Sequence, residues 1–227
     1  MKTLYIYGDS FADPDHTYAA APNYLWVEEL KEKFTVYNFA KKGTGPEWQN
    51  DILLKLVNSK NLKNSNLLYM MSHTQRRNWC FLEPSNQFYI PYIMSPDKEG
   101  IFDIQNAKKY SKYSKWLKNH SKYDGVNEDL KILNAYGFVS ICSQHFNKTI
   151  FWPVFQKIPK KFLKNTQKFN TIEKTLFEIS EEENYPDVNK NNHLHKINHE
   201  IMLNQITKWM QTDHNIDTSK FRKNINE

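Results

Sequence analysis

The first 71 residues alternate between two kinds of apolar pattern, and that alternation constrains the fold more than any other feature of the chain. Residues 3–7 are a short, β-rich apolar run that stops at Gly8, as expected of a strand buried on both faces. Residues 23–33 place Leu25, Trp26 and Leu30 between charges, which is amphipathic helix spacing. Residues 34–39 read as a second strand and residues 48–58 as a second helix, with Ile52, Leu53, Leu56 and Val57 apolar. Residues 66–71 read as a third strand. Strand, helix, strand, helix, strand in so short a stretch calls for a parallel sheet with helices on its faces.

The rest of the chain extends this plan after an interruption. From about residue 78 the pattern breaks, with Pro84, Pro91, Pro96 and many aromatics. Residues 81–125 are read as an insertion or cap within a single domain spanning 1–227. A long helix is expected over 126–146, strand four over 149–155, a weaker strand five over 175–179 and a last helix over 195–210. Residues 213–227 form a polar tail that is expected to fray. The predicted fold is α/β, a three-layer αβα arrangement around an open, flavodoxin-like parallel sheet of five strands.

Composition sets limits on function. A hydrophobic fraction of 39% is enough for a packed core and excludes a disordered chain. The formal charge of +6 is read as a solvated lysine-rich surface, so nucleic acid is not the expected partner. Two cysteines, Cys80 and Cys142, make no disulfide framework and point to a reducing, cytoplasmic compartment. No apolar run approaches the roughly 18 residues a membrane helix needs, and the N-terminal run has no cleavage site, so no membrane partner is expected.

In an open parallel sheet, ligands bind beyond the carboxyl ends of the strands, so the loop after each strand is the place to look. After strand one comes Gly8-Asp9-Ser10-Phe11. A serine in a tight turn there presents its hydroxyl outward, beside backbone N–H groups that can meet an oxyanion. The same residues also suit an ordinary turn or helix cap. Asn38 to Gly45 follow strand two, with Gly43 five residues after Asn38. Ser72-His73-Thr74-Gln75-Arg76-Arg77 follow strand three, and His193 to His199 open the last helix.

These ordered blocks resemble the SGNH hydrolases, also called GDSL esterases and lipases. Gly8-Asp9-Ser10-Phe11 is similar to that family's first block, with Phe where Leu is usual, and Gly43 matches the second. His193, with His199 six positions later, matches the last. The resemblance covers roughly residues 1–80 and 126–212. It implies Ser10 as nucleophile and His193 as its base, with the N–H groups of Ser10 and Gly43 around the oxyanion. Asp9 and Arg77 join the candidate substrate-binding set. Two positions depart from the family. Its third block usually carries Asn where this chain has Thr74, whose hydroxyl is a candidate replacement donor, with Arg76 or Arg77 as alternatives. The acid usual three residues before the histidine is Lys190 here. Asp187 is a candidate substitute, and a Ser–His dyad oriented by a backbone carbonyl is the other option.

The expected activity is hydrolysis of a small-molecule or glycan ester, without metal or cofactor. An acyltransferase acting on a glycan, or a catalytically weak glycan-binding module on the same fold, are the alternatives. Tyr110, Tyr113 and Trp116 stand among lysines in the insertion and can stack on sugar rings or pack as one helix face. His193, His195 and His199 lack an acidic residue at metalloprotease spacing, which argues against a zinc site of that kind. The pattern carries no sign of oligomeric state.

Overall fold

The computed structural model describes residues 1–13, 26–42, 44–74, 76–83, 86–95, 98–102, 128–163, 166, 168–183, 194–212 and 214–224, and within 76–102 the backbone alone. Five strands form the main sheet: β1 (Thr3–Tyr7), β2 (Thr35–Asn38), β3 (Ser65–Met71), β7 (Lys148–Pro153) and β8 (Phe169–Thr171). All pairings are parallel, and the spatial order is β2-β1-β3-β7-β8. This is the 2-1-3-4-5 order of a doubly wound, flavodoxin-like sheet. β3 lies in the middle and buries all seven of its residues, which is why it reads as a continuous apolar run without alternation.

Side chains alternate across the sheet and build a core on each face. Leu4, Ile6, Leu68, Met70, Ile150 and Trp152 point to one side. There they meet α1 (Trp26–Lys31), α4 (Leu176–Glu182) and α5 (Lys196–Gln211). Tyr5, Tyr7, Leu67, Tyr69 and Phe151 point to the other side, against α2 (Pro46–Ser59) and α3 (Glu128–Cys142). The three-layer αβα arrangement expected from the sequence is the one observed.

Local chemistry accounts for the helix boundaries. α2 starts with Gly45 extended at the cap and Pro46 in the first turn, where a missing N–H costs nothing. Thr175 and Glu178 form a reciprocal capping box that starts α4. This corrects the expectation of a fifth strand over 175–179. The β-branched residues there are a cap and a core contact of a helix, and the fifth strand is β8, further back at Phe169–Thr171.

Two further expectations change. Residues expected to be an irregular insertion include a three-stranded antiparallel sheet, β4 (Arg76–Glu83), β5 (Asn86–Ser95) and β6 (Lys98–Phe102), which begins before residue 81. Residues 103–127 lie outside the described ones. The C-terminal segment does not fray through residue 224: Ile216 and Phe221 are buried, and Asn198 and Gln205 of α5 bond the backbone of Arg222 and Asp217. Among the described residues no helix is long and apolar enough to cross a membrane.

Candidate active site

The turn after β1 is built around Asp9. Its carbonyl accepts from the Ala12 N–H at 3.1 Å, closing a four-residue turn, and its Oδ1 accepts from the Phe11 N–H at 3.2 Å. Asp9 is fully buried, so the observed work of its carboxyl group is to shape the turn that carries Ser10. Ser10 is 7% exposed. The turn is clamped from below by Trp26 of α1, whose indole N–H donates to the Phe11 carbonyl at 3.0 Å. Gly8 leaves little space behind it. An added Cβ would lie in van der Waals contact, 3.4–3.5 Å from the Cβ atoms of Met70, Ala12 and Ala40.

The loop after β2 is stitched onto this turn. Asn38 donates from Nδ2 to the Ala12 carbonyl at 2.7 Å and accepts from the Ala40 N–H at 2.9 Å. The Lys41 N–H donates to the Gly8 carbonyl at 3.2 Å, and the Lys42 N–H to the buried Asp13 carboxylate at 2.6 Å. Thr44 donates its hydroxyl to the Lys41 carbonyl at 2.7 Å. Gly43 itself lies outside the described residues, between two neighbours that are both held.

The loop after β3 joins the same edge. The Ser72 hydroxyl donates to the Thr44 carbonyl, and the Ser72 N–H donates to Gln49 Oε1 at 3.3 Å. Gln49, fully buried on α2, donates in turn to the Met70 carbonyl at 3.1 Å. Thr74 is 1% exposed, and its Oγ1 has no hydrogen-bond partner among the described residues. A buried hydroxyl left without a partner costs about 1–3 kcal/mol, so such a group at a ligand edge calls for an explanation. Thr74 follows β3 as Ser10 follows β1, and Tyr7 and Tyr69 are register partners on those adjacent strands. Phe155, just beyond β7, packs its ring edge-on to Phe11 and tilted against His73, which ties the three loops together.

α5 runs back along the sheet. Its C-terminal end lies at the amino ends of the strands, where Lys2 donates to the Met210 carbonyl at 2.7 Å and Lys148 to the Thr212 carbonyl at 2.5 Å. Asn66, at the start of β3, contacts Met210 Sδ at 3.3 Å. Sixteen residues of helix span about 24 Å, more than a seven-residue strand, so α5 begins at the carboxyl edge. That start is held by Glu183. Its fully buried carboxyl group accepts from the His195 N–H at 2.9 Å and from Asn198 Nδ2 at 2.8 Å.

Two of the three clustered histidines have structural places. His195 caps α5, accepting from the Ile197 N–H at 3.4 Å. His199 is buried in the helix layer, and burial pushes its imidazole down to about 4, against a hydrogen bond with the Leu194 backbone that favours the charged form. Among the described residues no group of three His, Cys, Asp or Glu side chains is arranged to hold a metal. Cys142 is buried, and burial pushes its thiol up to about 11, which keeps it protonated and inert. His193 and Asp187 lie outside the described residues, as do the aromatic and lysine residues 108–122. Arg77 belongs to β4 by its backbone, and its side chain lies outside the described ones.

Reading only the first three loops misses Gln156. It stands after β7, the fourth strand of the sheet, and a consistent inspection of every carboxyl end would have reached it. Its side chain bonds both Thr74 and His73. Fold and edge together define the class of protein: a doubly wound α/β domain whose candidate site is assembled from loops at the carboxyl ends of its central strands. No family model and no curated protein matches the chain.

Proposed function

We propose that this protein is a serine-dependent hydrolase of carboxylic esters, with Ser10 as nucleophile and His193 as general base. The observation that carries this reading is the carboxyl edge itself. A serine sits in a hydrogen-bonded turn, two further loops are stitched to it, and a buried Thr74 hydroxyl is left with donor capacity. The start of α5 at the same edge supports His193 as the base, because that residue stands two positions before the helix cap. The order of blocks shared with SGNH hydrolases supports it independently.

In the reaction, Ser10 Oγ attacks the ester carbonyl carbon while His193 takes its proton. The tetrahedral oxyanion is met by the N–H groups of Ser10 and Gly43 and by the Thr74 hydroxyl. Burial makes that hydroxyl a strong donor, because water does not compete with it. Collapse expels the alcohol, which takes the proton from His193. Water then gives a proton to His193 as it attacks the acyl-serine, and the Ser10 Oγ–acyl bond breaks as His193 returns that proton to Oγ, releasing the acid. The asparagine usual in this role is replaced by a shorter donor on the same loop.

The test is covalent labelling with a fluorophosphonate, read by mass spectrometry of the Ser10 peptide, alongside hydrolysis of a p-nitrophenyl acyl ester. The expected result is labelling at Ser10 that is abolished in Ser10→Ala, with turnover reduced about 1,000-fold or more in both Ser10→Ala and His193→Ala. Unlabelled Ser10 in folded protein, or a Ser10→Ala variant that still turns over ester, overturns the assignment.

A further inference from the structure

The Gln156 side chain makes two bonds whose directions fix each other. The Thr74 N–H can only donate, so the amide atom 3.3 Å away must be the carbonyl oxygen, Oε1. Nε2, which can only donate, then lies 3.1 and 3.3 Å from the two nitrogens of the His73 ring, a near-equal pair of distances that puts its N–H over the electron-rich face of the imidazole. His73 is held from the side by Phe155 at 5.1 Å between ring centroids, and Phe155 touches Phe11 beside Ser10. Thus one amide on the β7 loop sets the backbone of Thr74, and an imidazole sets which way round that amide stands. Neither bond is needed to build the sheet, since both lie past the last paired residues of β3 and β7, Met71 and Pro153.

We infer that Gln156, oriented by His73, is a positioning residue that holds Thr74 so that its hydroxyl meets the oxyanion. This rests on the hydrolase reading above. The bracket acts on the loop that carries Thr74, where this chain departs from the usual asparagine. A threonine hydroxyl is shorter than an asparagine amide and sits on a stiff, β-branched side chain. Its aim therefore depends on where the backbone is placed, and the Gln156 carbonyl fastens that backbone.

The test compares the full chain with Gln156→Leu, Gln156→Glu, Thr74→Val and the Thr74→Val/Gln156→Leu double variant. Hydrolysis of a p-nitrophenyl acyl ester is measured together with hydrogen exchange of the Thr74 amide by NMR. Gln156→Leu is expected to lower kcat about tenfold or more, with KM within about twofold, because the loss falls on the transition state. It should also speed exchange of the Thr74 amide. Gln156→Glu keeps an acceptor for that N–H, so it should restore the slow exchange and most of kcat. The double variant should be no slower than Thr74→Val alone, since both changes remove one interaction. A Gln156→Leu protein with wild-type kcat, with unchanged Thr74 exchange, or with losses that add to those of Thr74→Val overturns the inference. If the wild-type chain hydrolyses no ester, the hydrolase reading fails, and the inference falls with it even where exchange shows that Gln156 grips Thr74. A failure of the inference alone is recognised by active wild-type enzyme with an indifferent Gln156.

Discussion

The two faces of the sheet solve the same burial problem with different chemistry. The face under α1, α4 and α5 is largely aliphatic, with Leu4, Ile6, Leu68, Met70 and Ile150 around Trp152. A cluster of its polar groups, Glu183, Asn198 and His199, gathers at the start of α5. The face under α2 and α3 is aromatic. Register pairs Tyr5 with Tyr37, Tyr7 with Tyr69 and Tyr69 with Phe151, and each pair stacks at 5.0–6.0 Å. A tyrosine ladder gains large apolar area but carries hydroxyl groups into the core. Tyr69 and Tyr136 find partners in Asn50 at 2.7 Å and Thr171 at 3.2 Å, whereas the Tyr7 hydroxyl has none among the described residues. The lesson is where each face is vulnerable: the first most of all at the polar knot that starts α5, the second hydroxyl by hydroxyl.

Four changes probe that contrast, beginning with the most damaging. Glu183→Ala strips the acceptor from the His195 N–H and the Asn198 amide, both at a buried helix start. It should cost about 4 kcal/mol in urea unfolding, and a loss under 1 kcal/mol would mean the knot is not the weak point of its face. Next comes acid sensitivity. Burial holds His199 neutral in the fold down to about 4, against 6.5 when unfolded. The unfolded state therefore binds the extra proton between those values, and stability falls as pH drops from 6.5 to 4, by about 3 kcal/mol in all. His199→Gln should flatten the dependence of the unfolding midpoint across that window. The Lys174 ammonium bonded to Glu182 holds that carboxyl below its ordinary 4.5, so its contribution is lost as pH falls from about 4.5 and overlaps only the acid end of the His199 window.

On the aromatic face the expected effects are smaller and differ in sign. Tyr69→Phe removes the hydroxyl from Asn50 and should cost about 1 kcal/mol. Tyr7→Phe removes a hydroxyl without a described partner and should be neutral or stabilising by up to about 1 kcal/mol. Equal losses from the two substitutions in thermal unfolding would show that the Tyr7 hydroxyl is paired in solution and erase the distinction.

Much of this architecture could be read from local pattern. β1, β3 and β7 announce themselves as apolar runs because they are buried on both faces. α5 shows its inner face at Met202, Ile206 and Trp209. The segment at Thr175 was misread because β-branched residues suggested a strand, although Thr175 and Glu178 spell a helix start three residues apart. β8 was missed because three residues are too few to display a period. Ile216 and Phe221 are isolated in a polar tail, and only the groove beside α5 makes them core residues. At the candidate site, Ser10 stands out in the sequence by its place in the turn after strand one, and Thr74 by standing where the resembled family has asparagine. Asp9, a candidate substrate contact in the sequence, is buried and accepts from the Phe11 N–H within its own turn.

The alternation of the first three strands with their helices and the loop bearing the serine were settled by short-range patterning, because burial on one or two faces imposes a period that neighbouring residues must obey. The grip of Gln156 on Thr74 and His73, across more than eighty positions, was decided by folding alone. So was the burial of the Thr74 hydroxyl without a partner among the described residues. Hydrogen bonds between distant loops leave no period in the chain, and whether a buried polar atom has a partner depends on what the other loops bring to it.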